Sequence, residues 1–328
     1  MSVATSTTPG ATADTARRLF RDRPLVPLIG MLVILVILSQ LARPGIVSAA
    51  WSGVILQAAI PLAILAGCQT LAMLTGGIDL SVGAVASMAG FVVATFVHGQ
   101  GLGVGLAVVV VVAVLIGLAN GIGVGIFRVH PLIMTLGMSL VVLGLDNAWQ
   151  ILTLQTFTGV AEELRTLGSG RFLDVLPNSL AAFLPVAVLI LFSLRRTGFG
   201  RLLYAVGDNP IATRLSGARA WQVLILLYVI SALLATVAGL LISGLTNVAS
   251  VQLADSLILP SVAAAVIGGT SIFGGRGGYG GTIVGALILT VLSSLLSSLG
   301  YPEAVRQVLF GAIIVAVAAA YTRVTGET

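Results

Sequence analysis

Ten apolar stretches follow one another along this chain, at about 25–42, 51–74, 79–97, 102–127, 131–154, 178–194, 221–245, 257–273, 281–299 and 304–321. A helix needs about 20 apolar residues to cross the hydrocarbon core of a bilayer, where every backbone N–H and C=O must be satisfied without water. Most of the 328 residues are therefore committed to membrane spans, and no large soluble domain fits between them. Composition agrees: 58% of the residues are hydrophobic and 8% are charged, against about 25% charged in a soluble domain. A water-soluble enzyme, a disordered chain and a nucleic-acid-binding domain are excluded. The expected fold is an all-α polytopic membrane protein of about ten transmembrane helices, some of them broken by glycine. Residues 1–24 are expected as a tail, 25–322 as one transmembrane domain and 323–328 as a second, short tail.

The basic residues predict the orientation. All 16 are Arg and none is Lys. If the chain starts in the cytoplasm and alternates, Arg17, Arg18, Arg21, Arg23, Arg128, Arg195, Arg196, Arg201, Arg214, Arg219, Arg276 and Arg323 fall inside. Only Arg43, Arg165, Arg171 and Arg306 fall outside. Twelve against four follows the positive-inside bias and puts both termini in the cytoplasm. The pair Arg17-Arg18 then flanks a retained first span rather than a cleaved twin-arginine leader. The single cysteine, Cys68, excludes an internal disulfide and a multi-cysteine metal site. His98 and His130 stand at predicted helix ends, so neither a metal nor a cofactor is expected.

Forty glycines cluster at three places. The first is Leu74–Gly83, with Thr75, Gly76, Gly77, Asp79 and Ser81. The paired glycines leave a helix, and Asp79 is expected to cap the next one. Two readings stay open: a capped turn, or a discontinuous helix whose open backbone lines a solute pathway. The second cluster, Ile267–Gly278, breaks a helix at Gly268, Gly269, Gly274 and Gly275. It lacks the Gly-Lys-Ser/Thr ending of a phosphate loop, and no such motif occurs elsewhere, so the chain is not expected to bind a nucleoside triphosphate alone. The third cluster, Gly117 to Gly125 around Asn120, reads as a close helix contact.

Polar residues inside the spans are few. Asp146, Asn147 and Gln150 lie in the fifth, and ionisable groups at depth are functional candidates. Asp146 and Gln150, four apart, share a helix face. The same trio also suits the outer interface beside Trp149.

Two loops are long. Residues 157–177 are expected outside, carrying Glu162, Glu163 and Asp174, where a soluble partner would meet them. Residues 195–220 are expected in the cytoplasm. Within them Asn209 suits a helix N-cap, Pro210 the first helical position and Gly217 the stop. Ile211 and Leu215 make a small apolar ridge on a helix too short to be stable alone, which needs a groove to fill.

Four segments taken together, LTGGIDLSVG (Leu74–Gly83), PLIMTLG (Pro131–Gly137), GRLLYAVGDNPIATRLSG (Gly200–Gly217) and IGGTSIFGGRG (Ile267–Gly277), resemble the membrane permease of ribose-type ABC importers. They stand in the family's order, and the similarity runs from about residue 50 to 320. The resemblance implies a ten-helix permease without catalytic residues, paired as a homo- or heterodimer with the pathway at the interface. Its implied partners are two cytoplasmic ABC ATPase units, a periplasmic or lipid-anchored sugar-binding protein, the sugar and membrane lipid, with no nucleic acid. It also implies that Tyr204, Asp208, Asn209, Pro210, Ile211, Arg214, Leu215 and Gly217 form the coupling segment that docks in the ATPase. The implied function is ATP-driven import of a pentose, hexose or polyol across the bacterial inner membrane, with a nucleoside or branched-chain amino acid as the alternative solute.

Overall fold

The computed structural model describes residues 25–97, 99–153, 159–172 and 175–325, the last nine of these by backbone alone. Arg17, Arg18, Arg21, Arg23, His98, Asp174 and the tail at 326–328 lie outside the described residues.

Among the described residues, the regular structure is helical apart from one two-stranded hairpin. The helices are α1 (Leu25–Ala42), α2 (Ala49–Met73), α3 (Val82–Val97), α4 (Leu102–Gly125) and α5 (Pro131–Thr153). A short α6 (Glu162–Ser169) and the hairpin β1 (Arg171–Phe172) and β2 (Leu176–Pro177) follow. Next come α7 (Leu180–Arg196), α8 (Gly198–Asp208), α9 (Pro210–Leu215) and α10 (Ala220–Thr246). The chain closes with α11 (Ile258–Ile267), α12 (Tyr279–Ser298) and α13 (Glu303–Thr325). By length and composition α1, α2, α4, α5, α10 and α12 suit a membrane crossing, and α7 with α8, bent by 68°, makes a seventh if the pair is one span. The protein is a multi-pass membrane protein.

Two apolar stretches are not full-length helices. The one at 79–97 becomes helical only at Val82, and the one at 257–273 stops at Ile267. At 1.5 Å per residue, α3 is about 24 Å long and α11 about 15 Å, both short of a hydrocarbon core of about 30 Å. The physical reason is the paired glycines beside each: Gly76 and Gly269 sit at φ +78° and +89°, outside the helical region.

Helix α2 is the axis of the bundle. From Ala59 to Met73 every residue is buried, as expected for a helix that is apolar all round. Helix α10 packs on α2, α3, α4 and α6, while α11 and α12 close the other side of α2. The α4–α10 seam is a glycine stripe. A Cβ at Gly117 would stand 2.6 Å from Val229 Cα, and one at Gly121 would stand 2.5 Å from Ile225 Cα. Only hydrogen at these positions lets the two backbones touch. Helix α6 meets one end of α10 near Gly244, and α9 precedes its other end at Ala220.

Candidate permease site: a buried polar break and a capped end helix

Between α2 and α3 the backbone leaves the helix inside the bundle, and its polar groups are met by side chains from several helices. Gln69 of α2 clasps Asp79 by its main chain, donating from Nε2 to the carbonyl at 2.8 Å and accepting the N–H at Oε1 at 3.2 Å. Thr135 of α5 accepts the Leu80 N–H at 3.0 Å and lies 3.2 Å from the Ile78 carbonyl. The Asp79 carboxylate accepts from the Ser81 N–H (3.0 Å) and Ser81 hydroxyl (2.6 Å) at Oδ1, and from the Ser231 hydroxyl of α10 (2.7 Å) at Oδ2. Asn120 of α4 then donates to Ser81 Oγ at 3.0 Å. Side chains from four helices thus hold one non-helical segment, and Asp79, Ser81, Gln69, Asn120, Thr135 and Ser231 are all buried.

This corrects the expected role of Asp79. Its carboxylate organises the turn at Ser81, and the first ladder bond of α3 runs from Val85 N–H to the Ser81 carbonyl. Asp79 is therefore a tether across the bundle and not the cap of α3. Thr75 bonds back to the Ala72 carbonyl, Gly76 is exposed, and Gly77 lies so close to the Pro131 ring that a Cβ there would be 2.9 Å away.

Asp146, Asn147 and Gln150 do not join this group. Thr135 and Asp146 are 11 residues apart on α5, about 16 Å along the axis. Asp146 is buried while Asn147 is exposed and donates to the Leu143 carbonyl of its own helix. Gln150 is half-buried on the Asp146 face. Trp149 stacks on Phe96 with ring centroids 6.1 Å apart, so this part of α5 packs on the far end of α3.

At the other candidate site, the segment Gly200–Gly217 divides into two helices. Asn209 is extended (φ −152°) and its Oδ1 accepts from the N–H groups of Ile211 (3.1 Å) and Ala212 (2.9 Å). Pro210 occupies the first position of α9 and Gly217, at φ +82°, follows its end. The Thr213 hydroxyl donates to the Ala205 carbonyl at 2.7 Å, pinning α9 to α8. Arg214 Nε donates back to the Pro210 carbonyl. Ile211 and Leu215 are 66% and 83% exposed, an apolar ridge that nothing in this chain covers among the described residues.

The pair is anchored from behind. The Tyr204 hydroxyl donates to the Gly277 carbonyl at 2.9 Å, and the Gly275 N–H donates to the Leu74 carbonyl at 3.0 Å. Gly207 is wedged between Leu74 and Gly275 with no room for a Cβ, and Asp208 lies against Gly275. Gly268 ends α11, and Gly274 and Gly275 turn the chain at φ +94° and +69°. The second glycine cluster is thus the mount for α8 and α9. Sequence reasoning did not join them, because nothing local links Gly207 to Leu74.

At the opposite end Arg165 pairs with Glu162 at 2.6 Å and holds its carboxyl below the usual range, chiefly through the hydrogen bond between them. A shallow groove of about 550 Å³ runs between α6, the hairpin and α7, past Glu163, Phe172, Leu176 and Leu184.

Irregular backbone held inside an apolar helical bundle is tolerated in membrane proteins where it is buried in protein or lines a cavity, and it is common in transporters. The chain belongs to the family described as branched-chain amino acid transport system / permease component, which matches residues 53–318. It is 33% identical over 297 residues to the fructose import permease protein FrcC of Rhizobium meliloti, covering 88% of this chain and 82% of that one. The ribose import permease protein RbsC of Bacillus subtilis is 33% identical over 291 residues, covering 88% and 90%. The galactofuranose transporter permease protein YtfT of Escherichia coli is 34% identical over 272 residues, covering 80% and 77%. No solved structure matches the chain.

Proposed function

We propose that this chain is the translocation subunit of an ATP-driven bacterial importer for a simple sugar, a pentose, hexose or polyol. The observation that carries the reading is α9: a helix capped at both ends, pinned to its neighbour, with Ile211 and Leu215 bare. A preformed helix with an uncovered ridge suits the groove of a cytoplasmic ATPase. Tyr204, Asp208, Asn209, Pro210, Arg214 and Gly217 shape and mount that helix, and Ile211 and Leu215 fill the groove. The sugar class follows from the relatives, whose names give fructose, ribose and galactofuranose.

In this reading ten helices cross the bacterial inner membrane, α3 and α11 doing so with the help of their glycine-rich flanks. Both termini and the α8–α9 pair face the cytoplasm, and the α6 groove faces a periplasmic or lipid-anchored sugar-binding protein. A second permease chain completes the pathway. Thr75, Gly76, Gly77, Asp79 and Ser81 flank that pathway and set its shape, with Asp146, Asn147 and Gln150 nearer its outer end. ATP binding closes two ATPase units, which move α9 on each permease and open the bundle to one side at a time. A second reading is import of a branched-chain amino acid or a nucleoside; the family's own description favours the branched-chain amino acid.

The test is ATP-dependent uptake in proteoliposomes holding the permease with its ATPase and binding protein. Labelled pentoses, hexoses and polyols are compared with leucine and adenosine, in wild type and Ile211→Asp/Leu215→Asp. Accumulation of a sugar only with ATP, abolished in a double variant that still folds, supports the proposal. Accumulation of leucine or adenosine alone overturns the sugar class and keeps the architecture. Full uptake in the double variant moves the ATPase contact elsewhere.

A further inference from the structure

At the α8–α9 end of the bundle, the start of α1, the last turns of α7 and the turn into α12 enclose a cleft of about 780 Å³. That is within the range of small-molecule sites, roughly 300–1,000 Å³. Leu25, Val26, Leu191 and Leu194 give the cleft an aliphatic lining, and Arg195 and Arg276 line it as well. Among the described residues no acid lines the cleft and neither guanidinium has an acidic partner. Two cations facing one space repel each other and favour an anion between them. The N-terminal end of α12 adds to this field: Gly278 supplies no side-chain cap, and glycines at 278 and 280 leave the first turn open to close approach, while Gly281 is packed on Gly268.

We propose that this cleft binds the headgroup of an anionic phospholipid, its phosphate taken by Arg195 and Arg276 and its first acyl carbons laid on Leu25, Val26, Leu191 and Leu194. Charge complementarity selects an anion, and the aliphatic lining selects one that carries a hydrocarbon chain. A free phosphate or nucleotide makes no use of that lining. The cleft opens where α7 ends in Arg195 and Arg196 and where Arg276 precedes α12, the kind of basic helix boundary at which lipid headgroups gather. A lipid seated there joins α1, α7 and α12 to the leaflet, beside the mount of α8 and α9.

The test uses the purified full-length permease in neutral detergent, with bound ligand read by native mass spectrometry. Phosphatidylglycerol, phosphatidylcholine and inorganic phosphate are titrated separately. Phosphatidylglycerol is expected to bind about tenfold or more tighter than phosphatidylcholine, and Arg195→Gln/Arg276→Gln to lose about tenfold of that affinity, while Arg201→Gln/Arg219→Gln, which removes equal charge from the same end, loses less than about threefold. Arg276 stands exposed on a turn, so Arg276→Glu alone keeps the test open if the double variant does not fold; it is expected to lose as much. Equal losses in the two double variants, or none, overturn the site. Displacement of phosphatidylglycerol by equimolar inorganic phosphate overturns the lipid and leaves a soluble-anion site.

Discussion

Gln69 and Asp79 stand ten residues apart on either side of a helix break, and the amide of one holds both backbone groups of the other, at 2.8 and 3.2 Å. In a helix those two groups would be satisfied by the ladder. Gln69 replaces the ladder where the chain departs from it, and this allows irregular backbone to persist inside an apolar bundle. The Asp79 carboxylate is thereby freed to bond elsewhere, and it reaches Ser231, 152 residues away.

Replacing Asp79 with Ala strands three donors, from Ser81 N–H, Ser81 Oγ and Ser231 Oγ. The expected loss is on the order of 3 kcal/mol, because buried unpaired donors cost about 1–3 kcal/mol each and part of the loss relaxes. Asp79→Ala combined with Ser231→Ala is expected to cost less than the sum by about 1 kcal/mol. Reversible unfolding in mixed micelles of the single and double variants measures both quantities. Strict additivity would show that the pair is not coupled.

Helix α9 depends on its cap. Asn209→Ala removes two hydrogen bonds to backbone N–H groups and is expected to destabilise the helix by about 1 kcal/mol. In the reconstituted importer this lowers ATP-dependent uptake while the permease still folds. Asn209→Asp, which keeps the acceptor, is expected to restore most of the uptake. A loss of equal size in both variants would separate the cap from the function.

Gly207 and Gly217 are glycine for different reasons, and alanine separates them. At Gly207 a Cβ overlaps the Leu74 carbonyl oxygen and crowds Gly275 N at 2.5 Å. Gly207→Ala is expected to push α8 off its mount, at about 1–3 kcal/mol, and to expose residues 198–219 to protease. At Gly217 a Cβ meets nothing within 4 Å, so Gly217→Ala costs only the left-handed backbone, about 1–2 kcal/mol, and leaves the mount protected. Limited proteolysis followed by mass spectrometry distinguishes the two.

The α4–α10 seam tolerates no side chain. Gly121→Leu places a branched group against the Ile225 backbone and is expected to lower the unfolding midpoint more than Gly137→Leu, where nothing lies within 4 Å. Thermal unfolding in detergent decides the order, and equal shifts would show that the seam is looser than its geometry.

The helices and the ends of α9 were legible because their signals are local. An apolar run of 20 residues has few fates, and Asn209, Pro210 and Gly217 state where a short helix begins and stops. The buried break was legible in place but not in content. Gly76 and Gly77 mark a departure from helix, yet nothing local indicates that Gln69, Thr135, Asn120 and Ser231 converge on it. Each is one polar residue in an apolar span, and such residues usually bond to their own helix. Gln69 and Asn120 carried a readable signal, each an amide inside an apolar span, but nothing local said that both serve the same break. The same limit hid the contact of Gly207 with Leu74, which only the packed bundle creates.

The attachment of α9 is lopsided. On its leading side Thr213 ties it to Ala205, Tyr204 fixes α8 to Gly277, and Gly207 abuts Leu74. On its trailing side the chain passes to α10 through Gly217, in open space. A load applied at Leu215 therefore has a stiff route and a slack one. If the proposed ATPase contact pushes there, the end of α2 and the turn before α12 take the force directly, while α10 receives it only through the Gly217 link, so the two halves of the bundle are driven unequally.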